Sequence, residues 1–332
     1  MSKLIVSLSP HAHGPESVEK NMYGVILALL PTLLASFLFF GLGSFLVCAS
    51  SVLACMFFEW AIAKYMLNRK PTLTDGSAII TGLLLGLNLP SNIPIWMVVV
   101  GALFAIGVGK MCFGGLGQNL FNPAIVGRCF LLVSFPAAMT SWPVIGQLDS
   151  YTDVTTGATP LALMKEAIKT GDSSLLKGLP DAFELLVGNV ENGFGAGTIG
   201  EVCALALLVG LAFMLWRRII TWHIPVSIIL TVFVISLILH LVNPIYANPM
   251  QVIFSGGLML GAIFMATDYV TSPMTPCGQL VYGVGIGLLT IIIRNWGSYP
   301  EGMSFAILIM NAFTPLINNY FKPRRFGEKV VA

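Results

Sequence analysis

Residues 81–94 read TGLLLGLNLPSNIP, and residues 256–276 read GGLMLGAIFMATDYVTSPMTP. Each is a short, glycine-rich apolar run that ends in a polar, proline-bearing turn, and a full-length apolar run follows. A helix needs about 20 apolar residues to cross the hydrocarbon core of a bilayer, so neither run spans in the ordinary way. Short or interrupted segments at matching places in two halves of a chain point to an inverted repeat with a site near the midplane. Glycine is also common in membrane helices, which is the plainer reading of either run.

The rest of the chain agrees with a membrane setting. Hydrophobic residues make up 56% of the 332 and charged residues only 10%, where a soluble domain carries about 25% charged. Full-length apolar runs fall at 23–40, 45–64, 93–109, 199–216, 221–242, 277–294 and 303–320, and shorter ones at 76–89, 123–135 and 252–267. The pattern predicts an all-α polytopic membrane protein with about ten transmembrane helices in two inverted five-helix repeats, some of them short or broken. The expected organisation is a cytoplasmic tail at 1–22, a first repeat at 23–135, an outward-facing loop region at 136–198, a second repeat at 199–320 and a cytoplasmic tail at 321–332.

Orientation follows from the basic residues, which favour the cytoplasmic side. With the amino terminus inside, Lys3, Lys20, Lys64, Arg69, Lys70, Lys110, Arg217, Arg218, Lys322, Arg324, Arg325 and Lys329 all fall inside. Lys165, Lys169, Lys177 and Arg294 fall outside, and Arg128 lies within a span. That asymmetry puts both termini inside and the central break outside.

Several function classes drop out. No basic stretch with interleaved aromatics exists to bind nucleic acid, and the polar start of the chain has no apolar core of a cleaved signal peptide. Cys48, Cys55, Cys112, Cys129, Cys203 and Cys277 stand singly, without a CxxC. A metal or iron–sulfur site built by this chain alone is therefore not expected.

The polar break holds YTDVTTGATPLA at 151–162. Threonine is a poor nucleophile without an activating base, and the stretch has no His or Lys, so no catalytic residue is assigned. A threonine hydroxyl is instead an acceptor for modification by another enzyme. Small Gly157 and Ala158 are expected to leave Thr159 exposed on a tight turn, with Pro160 opening a helix, since proline suits a first helical position. An ordinary turn and helix start is the plainer reading.

Asp153-Val154-Thr155-Thr156-Gly157-Ala158-Thr159 resembles the D-x-x-[ST]-G-A-T signature read by flavin transferases, which esterify FMN through its phosphate to the last threonine of their target. A polytopic chain carrying it in a central outward loop resembles the D subunits of Rnf complexes, the ion-translocating ferredoxin:NAD oxidoreductases. LSPHAHGPESVEKNM near the start, LTDGSAIITGLLLGLNLP, GGLGQNLFNPAIVGR at 114–128 and FMATDYVTSPMTPCGQ at 264–279 agree with that family in order. The sibling, the B subunit of sodium-pumping NADH:quinone reductase, usually has a longer amino-terminal extension.

The resemblance implies FMN on Thr159, with Asp153, Gly157 and Ala158 serving recognition by the transferase and no catalytic role for Thr156. It also implies a second, noncovalent flavin, riboflavin, and a place in the bacterial inner membrane. The partners implied are membrane, iron–sulfur and second flavoprotein subunits, the flavin transferase, and lipid. The fold it implies is like that of urea channels.

For the second flavin the polar residues of the broken segments are candidates: Asn119, Asn122, Asn88, Asp268, Thr271 and Ser272, with Gly114, Gly115 and Gly117 permitting close backbone approach. Non-helical backbone at membrane depth suits a cofactor cavity, although caps and turns need the same residue types. Arg128, a charge inside an apolar run, is a functional candidate by default, as partner to a flavin, a carboxylate or backbone carbonyls. His11 and His13 read as a surface turn, His223 and His240 as the polar ends of one span, and Glu59 and Glu201 as candidates for an ion path. A channel or transporter and a non-redox scaffold are the competing readings.

Overall fold

The computed structural model describes residues 17–69, 73–148, 151, 154–188, 194–299 and 301–322. His11, His13 and Asp153 lie outside the described residues. The chain is built of helices: α1 Val18–Phe40, α2 Leu42–Ala61, α3 Ser77–Leu87, α4 Ile95–Gly107, α5 Pro123–Ser134, α6 Pro136–Met139, α7 Pro160–Thr170, α8 Ala182–Val187, α9 Ala204–Trp216, α10 His223–Val242, α11 Pro249–Phe254, α12 Leu258–Leu260, α13 Pro276–Trp296 and α14 Met303–Tyr320. Two π-helical turns, Ile62–Met66 and Gly261–Met265, extend α2 and α12.

Five of these helical stretches are long and apolar enough to cross a bilayer: Val18–Phe40, Leu42–Met66, Ile95–Phe113, His223–Val242 and Pro276–Trp296. Their exposed apolar faces, with Leu34, Leu38, Leu53, Leu230 and Leu241 all more than half exposed, are what lipid would cover. The chain is an all-α polytopic membrane protein. The expected short segments are short: α3 ends at Leu87, and the 252–267 run is broken into α11, α12 and a π turn. Two expected helix starts move furthest: α1 begins at Val18, ahead of its apolar run at 23–40. The run at 199–216 becomes helical only at Ala204, because Gly197 at φ +79 and the glycine at 200 turn the chain there.

The two halves repeat one packing scheme. In the first, α2 packs on α3 and α4, and α4 packs on α5; in the second, α10 packs on α11 and α13, and α13 packs on α14. Across the halves α1 meets α9, and α5 meets α14. Small residues permit the close approach. A Cβ on Gly82 of α3 would lie 2.6 Å from Val52 Cα, and the Ser51 hydroxyl donates to the Gly82 carbonyl at 2.7 Å. Gly82→Ala should therefore push α3 off α2 and cost on the order of 1–3 kcal/mol, read as a lower melting temperature in detergent; an unchanged melting curve would refute this account of the contact.

Four helices start alike, with a capping residue and then proline. Asn122, Thr159, Asn248 and Thr275 cap α5, α7, α11 and α13, accepting from the amides of Ala124, Ala162, Met250 and Gly278. Proline at the first position gives up an amide that would have no intrahelical acceptor, and the capping oxygen satisfies another. The cap–Pro pair thus sets where these helices begin, and the starts of α5 and α7 carry the polar sites.

Candidate functional site

Thr159 sits where three pieces of backbone meet. Val144 donates to the Thr155 carbonyl at 3.0 Å, Gly157 to the Trp142 carbonyl at 3.0 Å, and Gly195 to the Ala158 carbonyl at 3.0 Å. The motif is therefore clasped between 142–144 and 195–196, and a Cβ on Gly195 would collide with the Gly157 carbonyl and the Trp142 side chain. Gln147 adds a two-way link, accepting from the Thr155 amide at 2.7 Å and donating to its carbonyl at 3.0 Å.

This geometry corrects one expectation. Thr155, Thr156 and Ala158 are exposed and Gly157 is half-buried, but Thr159 is only 7% exposed. Pro160 opens α7 as expected, and so makes Thr159 the cap, its hydroxyl accepting from the Ala162 amide at 3.2 Å. A capping side chain folds back over its own helix, and here the 195–196 backbone lies beyond it. Thr159 lines a narrow cavity of about 30 Å³, together with Trp142, Glu201, Ser255, Gly256 and Glu301.

Buried charge surrounds that cavity. Arg128 of α5 forms an ion pair with Glu301, just ahead of α14. It also donates to Asn88 Oδ1 at 2.8 Å, at the end of α3, and to Ser304 Oγ at 2.9 Å. Arg294 near the end of α13 donates to the carbonyls of Val252 at 2.7 Å and Ser255 at 3.0 Å, closing the carboxyl end of α11 as cations do. Gly256, at φ +67, follows: a Cβ there would lie 2.8 Å from Leu161 Cδ2 and 3.0 Å from Arg294 Nη2, so only glycine lets the guanidinium and α7 close on this turn. Lys165 of α7 is buried and donates to the Tyr299 carbonyl at 2.6 Å. Burial first, and the charge of Lys169 second, push its ammonium down to about 8.

A second, larger cleft lies elsewhere. It has a volume of about 90 Å³ behind an open mouth, and is lined by Met22, Lys110, Asn119, Asn122, Phe264 and Asp268 among others. Asn119 donates to the Phe121 carbonyl at 3.1 Å and to Asp268 Oδ2 at 3.5 Å. Thr271 donates to the same carboxylate at 3.2 Å, and the Ser272 amide to the Asp268 carbonyl at 3.1 Å. At the cleft wall Lys110 is locked to both oxygens of Glu59 at 2.8 and 2.7 Å and to Ser77 Oγ at 2.6 Å. Glu59 is thus fully engaged, an anchor for α2 against the 107–113 turn.

The structure divides the residues proposed from sequence for one flavin pocket. Asn119, Asn122 and Asp268 share the large cleft; Thr271 and Ser272 brace the Asp268 turn without lining it; Asn88 and Arg128 belong to the charge cluster by Thr159. Met265 joins the two groups. Its carbonyl accepts from Asn122 at 3.1 Å, and its sulfur lies 3.7 Å from Asn88 Nδ2. The π turn that ends at Met265 makes this double contact, a use to which such bulges are often put. Of Arg128's three foreseen partners the structure supplies the carboxylate. Its identity, Glu301, escaped sequence reasoning; the available signal was an acid immediately ahead of an apolar span.

Two buried polar clusters, each at the start of a short capped helix within a repeated helical fold, define a polytopic membrane protein with two internal polar sites. A model of the NQR2, RnfD, RnfE family matches residues 5–327, and the chain belongs to that family. It is 45% identical to the D subunit of the Na(+)-translocating ferredoxin:NAD(+) oxidoreductase complex of Acetobacterium woodii, over 98% of this chain and 95% of the relative. The D subunit of the Proton-translocating ferredoxin:NAD(+) oxidoreductase complex of Clostridium ljungdahlii is 40% identical, over 98% and 96%. The D subunit of the Ion-translocating oxidoreductase complex of Yersinia pseudotuberculosis serotype O:1b is 39% identical, over 98% of each.

Proposed function

We propose that this chain is the membrane electron-transfer subunit of an ion-translocating ferredoxin:NAD oxidoreductase complex, with FMN esterified to Thr159 and a noncovalent riboflavin in the large cleft. Full-length similarity to the D subunits of two such complexes, and to that of a third named as an ion-translocating oxidoreductase complex, supports the assignment to a complex of this kind. Relatives named for Na⁺ and for protons are both close, so the reading is of ion translocation in general. The termini face the cytoplasm and the central segment the outer side, as the placement of basic residues argues. The other subunits of the complex and a flavin transferase are its partners.

The observation that carries the reading is the placement of Thr159. Its oxygen caps an eleven-residue helix, and the amide end of a helix is a ready site for a phosphate ester. The cavity of about 30 Å³ has room for about two waters' worth of oxygen atoms, which suits a phosphate and not a three-ring system. The ring would lie outside it. The large cleft, at about 90 Å³, is about three times the size of the Thr159 cavity and is apolar with a few placed polar groups, as ligand sites are. There Asn119, Asn122 and Asp268 would hold a ring edge. Flavins supply one-electron transfer in both places; the protein supplies position, dryness and charge.

Mass spectrometry of the peptide containing Thr159, from cells with an active flavin transferase, tests the assignment. The expected result is a peptide heavier by FMN less water, fluorescent in a denaturing gel. An unmodified peptide ends it.

A further inference from the structure

Among the described residues, three buried cations and two carboxylates stand around Thr159. Arg128 is paired with Glu301, and Arg294 faces Glu201. Lys165 is the cation left over. It is 6% exposed, its Nζ donates to the Tyr299 carbonyl at 2.6 Å, and no described carboxylate pairs with it. The small cavity that it lines has no acid in its wall. Facing that cavity from other elements are Arg294 of α13 and Tyr246 of the turn after α10, with His240 of α10 against the Tyr246 carbonyl at 2.7 Å. On α7 and the turn after it, Glu166, Lys169, Asp172 and Lys177 are all exposed.

Three features bring Lys165 to the Thr159 site. It follows the Thr159 cap by six residues on α7, about 9 Å along the axis, and helical side chains lean back toward the amino-terminal end. Leu161, one turn back from Lys165, lines both its cavity and that of Thr159. The Tyr299 carbonyl that Lys165 holds comes two residues before Glu301, which is in the wall of the Thr159 cavity.

A buried charge without a counter-ion is costly. Burial, and then the like charge of Lys169, already hold the Lys165 ammonium down at about 8. A phosphodiester carries one negative charge and would bring cations and anions here into balance. A nearby opposite charge favours the charged form of an ammonium.

We propose that Lys165 is the counter-cation of a phosphodiester on Thr159, a positioning residue that the fold buries in readiness for the ester. The proposal rests on the reading of Thr159 as the FMN attachment point. No bond is made or broken and no electron moves; the ammonium keeps a proton that it holds loosely while Thr159 is bare.

A protease that spares lysine leaves Thr159 and Lys165 on one peptide, so mass spectrometry reads the flavin and the amine of the same molecule. Full-length protein from cells with and without an active flavin transferase is trace-labelled with acetic anhydride, which reacts with the neutral amine, across the neutral to alkaline range. In the bare protein, labelling of Lys165 should rise with a midpoint near 8. In the FMN-bearing protein the midpoint should move up toward the ordinary lysine value of about 10.4, and labelling at neutral pH should fall about tenfold for each unit gained. Thr159→Ala should match the bare protein. A midpoint shared by the two forms overturns the proposal. So does a fall of equal size at every pH, which would mean only that the flavin covers the amine.

A melting cycle gives a second reading. Attachment should raise the melting temperature more in wild type than in Lys165→Met, with Lys165→Arg close to wild type; equal increments in wild type and Lys165→Met overturn the proposal. The labelling comparison needs no folded Lys165 variant. A flavin-free peptide from cells with the transferase defeats the attachment reading and this inference with it, whereas a flavin-bearing peptide with an unmoved midpoint defeats this inference alone.

Discussion

Thr159→Ala should abolish covalent flavin altogether while leaving the protein folded. The loss of attachment is complete because no other hydroxyl of the motif has its position: Thr155 and Thr156 lie on exposed extended backbone, and of the three only Thr159 caps a helix. The loss of the cap itself costs about 1 kcal/mol, a modest fall in melting temperature. Thr159→Ser separates the two roles, since serine caps as well as threonine and keeps a hydroxyl. The informative readouts are gel fluorescence and peptide mass beside a melting curve. Fluorescence persisting in Thr159→Ala would show the flavin to be attached elsewhere. A collapse of the fold in Thr159→Ser would show that the threonine methyl, not the oxygen, matters here.

The second large effect is expected at Arg128. Removing one partner of a buried ion pair strands the other charge, which costs about 3–5 kcal/mol. Arg128→Met should therefore destabilise strongly, because Glu301, Asn88 and Ser304 all lose their shared donor. The double variant Arg128→Met with Glu301→Gln should recover much of that loss, since the stranded carboxylate is gone. Residues in one network are non-additive by about 0.5–3 kcal/mol, so the cycle measures the coupling directly. Strict additivity in the melting data would mean that Arg128 and Glu301 do not act as a pair. Arg128→Lys should fall between, because an ammonium keeps the charge but not the planar fork that reaches three partners.

How much of this could be read from the chain depended on the range of the forces involved. Helix existence was legible from apolar run length, and the broken run at 252–267 was recognisable from its glycines. Pro160 marked a helix start correctly because proline acts on its own backbone. The burial of Thr159 was not legible: it is imposed by Trp142, Gly195 and Ala196, whose backbone reaches the motif only in the folded chain. The same holds for the division of the polar residues into two clusters. Asn88 and Asn122 look alike in sequence, each polar at the edge of a short apolar run, but one faces Arg128 and the other the Met265 carbonyl. Arg128 announced that it needed a partner, and nothing local said which.

The cap–proline starts carry a consequence for how the protein is wetted. A helix that begins inside a bundle ordinarily leaves amides that only water could serve, so it needs a hydrated crevice at its tip. Here the side chains of Asn122, Thr159, Asn248 and Thr275 serve the amides of Ala124, Ala162, Met250 and Gly278, at 3.0, 3.2, 3.1 and 3.2 Å. The tips of α5 and α7, where Asn122 and Thr159 are buried, can stay dry. Deuterium should enter the Ala124 and Ala162 amides far more slowly than the uncapped start of α9, and the difference should survive a change from detergent to lipid.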